Sequence, residues 1–237
     1  MSIARSEPLR LPGLAWPIEL RVHPRASTLR LRLDEKRQLL TLTCPPRASR
    51  RAALVWAGNQ SEWVERQLAA LAQRITLEPG SRIPFDGIEL LLDWRESESR
   101  RMRLEDGKLI GGGPSEGFGR RVARWLRAEA QRRLAQETAD IAAAAGVAVA
   151  GVSTGDPATR WGSCSAGGRI RYSWRLLLAP PELRRYVVAH EVAHRVHMNH
   201  GAEFHALEAT LYGGPVASAR LALRRLGPGL KRIDLPV

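Results

Sequence analysis

His190-Glu191-Val192-Ala193-His194 is the stretch on which the reading of this chain turns, and Tyr186-Val187-Val188-Ala189 leads into it with the apolar run of a buried helix. Residues four apart on a helix lie one above the other on the same face, so His190 and His194 project side by side and can clamp one cation through ring nitrogens. Glu191 sits one position on, about 100° round the helix, where its carboxylate reaches a water in an open metal position without becoming a ligand. A metal lowers the pKa of such a water toward about 7, so Glu191 can take a proton, deliver hydroxide to a peptide carbonyl and pass the proton to the leaving amine.

A third ligand must come from elsewhere. Five of the six histidines fall between His190 and His205, which leaves His197, His200 and His205 as candidates. Three ligands in one short helical run would bind from one side, so the helix is expected to turn away first. Asn199 suits that turn because Asn tolerates the left-handed conformation, and Gly201 adds freedom after it. His200 then swings back to complete the set, while His197 and His205 are read as exposed or supporting.

Outward from this helix, the pattern divides. From Ile18 to Thr43 apolar residues alternate with polar ones (Leu20, Val22; Leu29, Leu31, Leu33; Leu40, Leu42), which predicts half-buried antiparallel strands. Pro45-Pro46 stops the last strand, and Ser49 is placed to cap one helix running through Trp56, Trp63, Val64, Leu68 and Leu71. Strand patterning resumes over Ile88–Asp93 and closes in a hairpin at Glu105-Asp106-Gly107. Gly111-Gly112-Gly113-Pro114-Ser115 is the best boundary, giving a β-rich α+β region over 1–113 and a second domain over 114–237. That second domain opens with a long helix from about Glu116 to Ala145, ended by Gly146, and continues with a short strand at 147–153. A strand at Arg169–Trp174 follows, then a helix opened by Pro180-Pro181.

Composition sets the outer limits. A chain of 237 residues with 44% hydrophobic and 26% charged residues can bury a substantial core. Neither a spanning apolar run nor the apolar stretch of a signal peptide in Met1–Pro8 is present, so a soluble, cytoplasmic protein without a membrane partner is expected. Cys44 and Cys164 lie far apart and are read as reduced thiols. The net charge of +13 admits nucleic acid as a partner. Arginine, however, far outnumbers lysine and is spread along the whole length, as a coding bias would leave it, and no nucleic-acid-binding motif is recognisable.

Taken together, Arg160-Trp161-Gly162-Ser163-Cys164-Ser165, Trp174-Arg175-Leu176, Leu178-Ala179-Pro180-Pro181, the His190–His194 motif, Met198-Asn199-His200 and Phe204 resemble the YgjP-like metallopeptidases, and more distantly the SprT-like proteases. The close resemblance covers roughly residues 155 to 208. It implies an α+β, zincin-like peptidase domain whose motif helix packs beside a small sheet, with Zn2+ held by His190, His194 and His200 and Glu191 as general base. In such a fold Trp161, Gly162, Ser163 and Cys164 line the cleft, where a strand edge pairs with an extended or unfolded peptide substrate. The competing reading makes Trp161 and Trp174 core aromatics, Gly162 a turn residue and Cys164 an inert buried thiol. Although the histidine offsets match the metzincin pattern, His197 replaces its glycine and no methionine follows Met198, so there is no Met-turn.

An oxyanion donor is also required, and Tyr212, His197, Tyr172 and Arg160 are the candidates. Two alternatives to a simple peptidase stand beside it. One is a nucleic-acid-associated, SprT-like protease docked through its basic surface. The other is a non-catalytic zinc-stabilised binding module, with Cys164 as a fourth ligand in place of water.

Overall fold

The alternating segment before Pro45 forms three strands, β1 (Ile18–Val22), β2 (Arg30–Asp34) and β3 (Leu39–Cys44), in the order β1-β3-β2. The computed structural model describes residues 7–35, 37–72 and 74–236, without the side chains of residues 70–72. The start of the stretch read for a signal peptide and the side chain of Leu71 therefore lie outside the described residues. Contacts divide the chain into two compact units, Met1–Gln73 and Arg74–Val237.

In the first unit β2 pairs antiparallel with β3 (Leu31 opposite Leu42), but β1 pairs parallel with it (Ile18 opposite Leu40), which corrects the all-antiparallel expectation. The reason lies in β3. Five of its six residues are buried, so it takes the centre, whereas Arg30 and Arg32 suit β2 to an edge. The single helix expected after Ser49 is two, α1 (Arg50–Gly58) and α2 (Ser61–Ala72), broken where Gly58-Asn59 disfavours helix. Ser49 does cap α1, its Oγ accepting from the Ala52 N–H at 3.4 Å. Ile18, Leu20, Leu40, Leu42, Ala53, Ala57 and Val64 form this unit's core. Beside them Glu19, only 3% exposed, accepts hydrogen bonds from Arg37 at 2.8 Å and Arg21 at 2.5 Å. Those guanidiniums, Arg37 foremost, hold its carboxyl down at about 2 against the opposing effect of burial.

The second unit begins with a four-stranded sheet of β4 (Arg82–Phe85), β5 (Ile88–Trp94), β6 (Arg103–Glu105) and β7 (Lys108–Gly111), ordered β4-β5-β7-β6. Its hairpins turn at Asp86-Gly87 and Asp106-Gly107, all four residues with positive φ. Ile83, Phe85, Leu90, Leu92 and Leu109 from this sheet share one core with α3 (Phe118–Ala144) and α4 (Pro181–Ala193). The boundary expected at 113/114 thus falls inside this unit. The glycine run is packed, not a linker: Gly112 N–H donates to Ser99 O at 2.7 Å, and a Cβ there would lie 2.0 Å from the Glu98 carbonyl oxygen. Asp86 fastens the sheet to both helices by accepting from Arg133 of α3 and Arg184 of α4, and Arg184 also holds Glu137 at 2.8 Å.

A second sheet, β8 (Gly151–Gly155), β9 (Gly162–Cys164) and β10 (Arg169–Ser173), is ordered β8-β10-β9. β10 is central, parallel to β8 and antiparallel to β9, so β9 is an edge strand. α4 packs against β9, α3, α5 (Ala202–Tyr212) and α6 (Val216–Leu230). Arg175 ties the end of α6 in place, chelating Asp156 at 2.7 and 2.9 Å and donating to the carbonyls of Leu230 and Ile233. Among the described residues the fold is mixed α+β, with six α-helices and three small sheets, and no helix is long and apolar enough to cross a membrane.

Candidate metal centre

Pro181 occupies the first turn of α4, where its missing N–H breaks no helical bond. The helix then carries Leu183, Tyr186, Val187, Val188, Val192 and Ala193 into the core and leaves His190 half-buried toward a cleft. It ends at His194 (φ −64°, ψ −14°), and the N–H groups of Arg195, Val196 and His197 fold back onto Val192 and Ala193 carbonyls. The turn therefore comes before Asn199, which keeps a negative φ, and not at it. Gly201, extended at φ −77° and ψ −176°, starts α5, and His200 lies between the two helices.

Candidate ligand nitrogens of His190, His194 and His200 all lie within 4.8 Å of one another, with His200 Nε2 and His190 Nε2 3.4 Å apart. Phe204, fully buried on α5, is the common floor, its ring 5.1, 4.6 and 4.7 Å from those of His190, His194 and His200. His190 Nδ1–H donates to Glu208 Oε1 at 2.7 Å, and His194 Nδ1–H donates to the His197 carbonyl at 3.1 Å. Both bonds fix the tautomer that leaves Nε2 a free lone pair, the state in which imidazole binds a cation. Burial pushes the pKa of His190 and His194 down, which favours the same neutral form.

Glu191 is 4% exposed and forms no hydrogen bond to another side chain among the described residues; burial raises its pKa to about 7, opposed by the positive charge of Arg160. Gly162 of β9 passes directly against it: a Cβ there would sit 2.5 Å from Glu191 Oε1. A cleft of about 360 Å³ opens over this pair, lined by Trp161, Tyr186, His190, Arg220 and Leu223 among others.

Of the residues singled out from sequence, His190, His194, His200, Glu191, Trp161 and Gly162 come together here. Ser163 and Cys164 follow on β9 but do not line the cleft. The Cys164 thiol donates to Ser165 O at 3.5 Å, its pKa pushed up by burial, and it is no part of the histidine cluster. Tyr172 is fully buried with its hydroxyl 3.1 Å from Thr138 Oγ1, which removes it from any cleft. Tyr212 stands edge-on to Tyr186 outside the cleft lining, and the His197 ring faces Glu203 at 3.7 Å. Arg160 acts on Glu191 through its charge.

Three residues of the site escape sequence reading. Glu208 is fully buried, with His205 Nδ1 at 3.1 Å and Arg220 Nη2 at 3.6 Å on its second oxygen. Tyr186 accepts from Arg220 Nε at 3.3 Å, and both face the cleft. The spacing of His205 and Glu208 on α5 was visible, but an acidic residue three positions from a histidine also describes any solvated helix face.

Three converging imidazoles beside a buried carboxylate in a cleft define a candidate metal centre of hydrolytic type. The chain belongs to the YgjP-like family, whose model, described as a YgjP-like metallopeptidase domain, matches residues 27–225. No curated protein and no solved structure matches it.

Proposed function

We propose that this metallopeptidase is zinc-dependent and zincin-like, with His190, His194 and His200 as ligands and Glu191 as general base. The observation that carries this is the convergence of the three imidazoles. Two nitrogens on one tetrahedral zinc, each at about 2.0–2.1 Å, stand about 3.3–3.4 Å apart, and the His190–His200 separation is 3.4 Å. An all-nitrogen donor set with hydrogen-bonded Nδ1 atoms also suits zinc over the harder cations.

Zinc held there would supply a Lewis acid and an acidified water. The chain's own residues do the rest. Glu191, kept out of bulk water and free of a competing hydrogen bond to another side chain among the described residues, takes a proton at its carboxylate and returns it to the leaving amine. Tyr186 and Arg220 face the same cleft and are the donors best placed for the carbonyl oxygen as it gains charge. Edge strand β9 offers its unpaired backbone to an extended peptide, which Gly162 lets lie close to Glu191. Unfolded or extended protein segments are thus the substrate class. The free thiols of Cys44 and Cys164 agree with a reducing, cytoplasmic setting.

A purely structural zinc site would need a fourth protein ligand, and the cluster holds three among the described residues. Glu191→Gln decides between catalysis and mere binding. The variant should retain one bound zinc per chain and lose peptide hydrolysis by at least about a hundredfold, within the range of general-base contributions; activity near wild type would overturn the assignment.

A further inference from the structure

At the other end of the catalytic unit's long helix, a cavity of about 650 Å³ is lined by Arg100, Arg101, Arg120, Arg121 and Arg124, together with Met102 and Trp125. It shares no lining residue with the histidine cleft. Arg120, Arg121 and Arg124 come from the first two turns of α3, and Arg100 and Arg101 from the segment between β5 and β6. Such crowding is normally relieved by carboxylates, but here it is not. Among the described residues none of the five forms an ion pair, whereas Asp93, Glu98 and Glu105 of the same region are held by Arg95 and Arg103. Arg121 donates Nη2 to the Pro114 carbonyl at 2.9 Å, while its Nε is buried without a hydrogen-bond partner. Burial, and then the charges of Arg100, Arg120 and Arg124, push its pKa down.

Five uncompensated guanidiniums around one concavity are complementary to a dense anion. We propose that this cavity binds single-stranded nucleic acid, with phosphates on the guanidiniums and a base against Trp125. Guanidinium forks match phosphate oxygens in pairs, and Trp125, half-buried with the Phe85 ring 5.6 Å from it, also lines the cavity, where an indole can stack on a base. Arg127 continues the row beyond the cavity, and Arg120 to Arg127 span about 10 Å along the helix, longer than one phosphate needs. A duplex keeps its bases paired and has none to offer Trp125. A poly-acidic peptide such as poly-glutamate matches the charge but has no ring to stack on Trp125.

The test uses the full chain and fluorescence anisotropy with a labelled oligo-dT of about twelve nucleotides, within the site sizes of single-strand binders. Three to four phosphate contacts predict a salt slope of about −2 to −3, so affinity falls about 20- to 50-fold between 50 and 200 mM salt. Arg120→Glu/Arg124→Glu, both exposed and unpaired, should weaken binding at least about tenfold and roughly halve that slope. Arg50→Glu/Arg51→Glu makes the same charge change on exposed residues of α1 and should leave binding within about twofold. Glu191→Gln should bind like wild type, so the peptidase assignment can fail without this one. No binding of oligo-dT, equal weakening by the two double variants, tighter binding of a duplex, or displacement of oligo-dT by an equal concentration of poly-glutamate would each overturn the proposal.

Discussion

Glu208→Gln tests how the histidine cluster is held. Glu208 is fully buried and spends one oxygen on His190 Nδ1 at 2.7 Å and the other on His205 at 3.1 Å. Burial pushes its pKa up, but the His190 and His205 hydrogen bonds together with nearby positive charge, Arg220 included, bring it below the ordinary value, so the charged form is the one built in. Glutamine preserves the shape and an acceptor oxygen but removes the charge. A hydrogen bond to a charged group is worth about 1.5–3 kcal/mol net and a neutral one about 0.5–1.5, so the change should cost about 1–1.5 kcal/mol, or roughly tenfold in zinc affinity. Glu208→Ala, which leaves Nδ1 without a partner, should approach a hundredfold. Competition with a chromophoric chelator measures the affinity, and thermal unfolding of the metal-free proteins separates lost binding from lost folding. Zinc affinity within twofold of wild type in a folded Glu208→Gln variant would refute the reasoning, because His190 would then be oriented by something else.

Gly162→Ala places a methyl 2.5 Å from Glu191 Oε1, so strand or carboxylate must shift; peptide hydrolysis should drop on the order of a hundredfold while zinc content, measured by metal analysis, stays at one per chain. Acid should weaken the first unit through Glu19, whose carboxyl is depressed to about 2 in the folded chain. Its contribution is complete above the ordinary carboxylate value of about 4.3 and is lost as pH falls from there through about 2. Urea unfolding of wild type and Glu19→Gln followed by circular dichroism should therefore show a gap at pH 6 that closes by pH 2; a gap independent of pH would contradict the assignment.

The parts of the site legible in sequence are those fixed by local geometry. His190 and His194 come together because a helix puts them there, and Pro181 and the residues around Asp106-Gly107 mark an element start and a turn through their own backbone preferences. His200 was reachable only by asking which histidine a turn brings back toward the pair, and Asn199 is not where that turn falls: the chain turns through 195–197 instead. Pairings between distant segments carry no such local mark. Nothing in Ile18–Val22 announces that it lies parallel to Leu39–Cys44, and three consecutive glycines look the same whether they link domains or pack under the Glu98 carbonyl. Glu208 was hidden for a related reason, since its burial depends on how α5 docks and not on its neighbours in sequence.

Phe204 and Glu208 stand one turn apart on α5, and His200 lies two residues before that helix, whereas His190 is on α4 and His194 caps its end. The three imidazoles thus come from the end of one helix and the short connection to the next, and a cation seated among them would be a cross-link as well as a reagent. Each tenfold excess of free zinc over its dissociation constant adds about 1.4 kcal/mol to the stability of the folded chain. If zinc binds there as proposed, chelation should loosen α5 from α4 and uncover Phe204, and metal supply would then set the mechanical integrity of this corner of the molecule along with its chemistry.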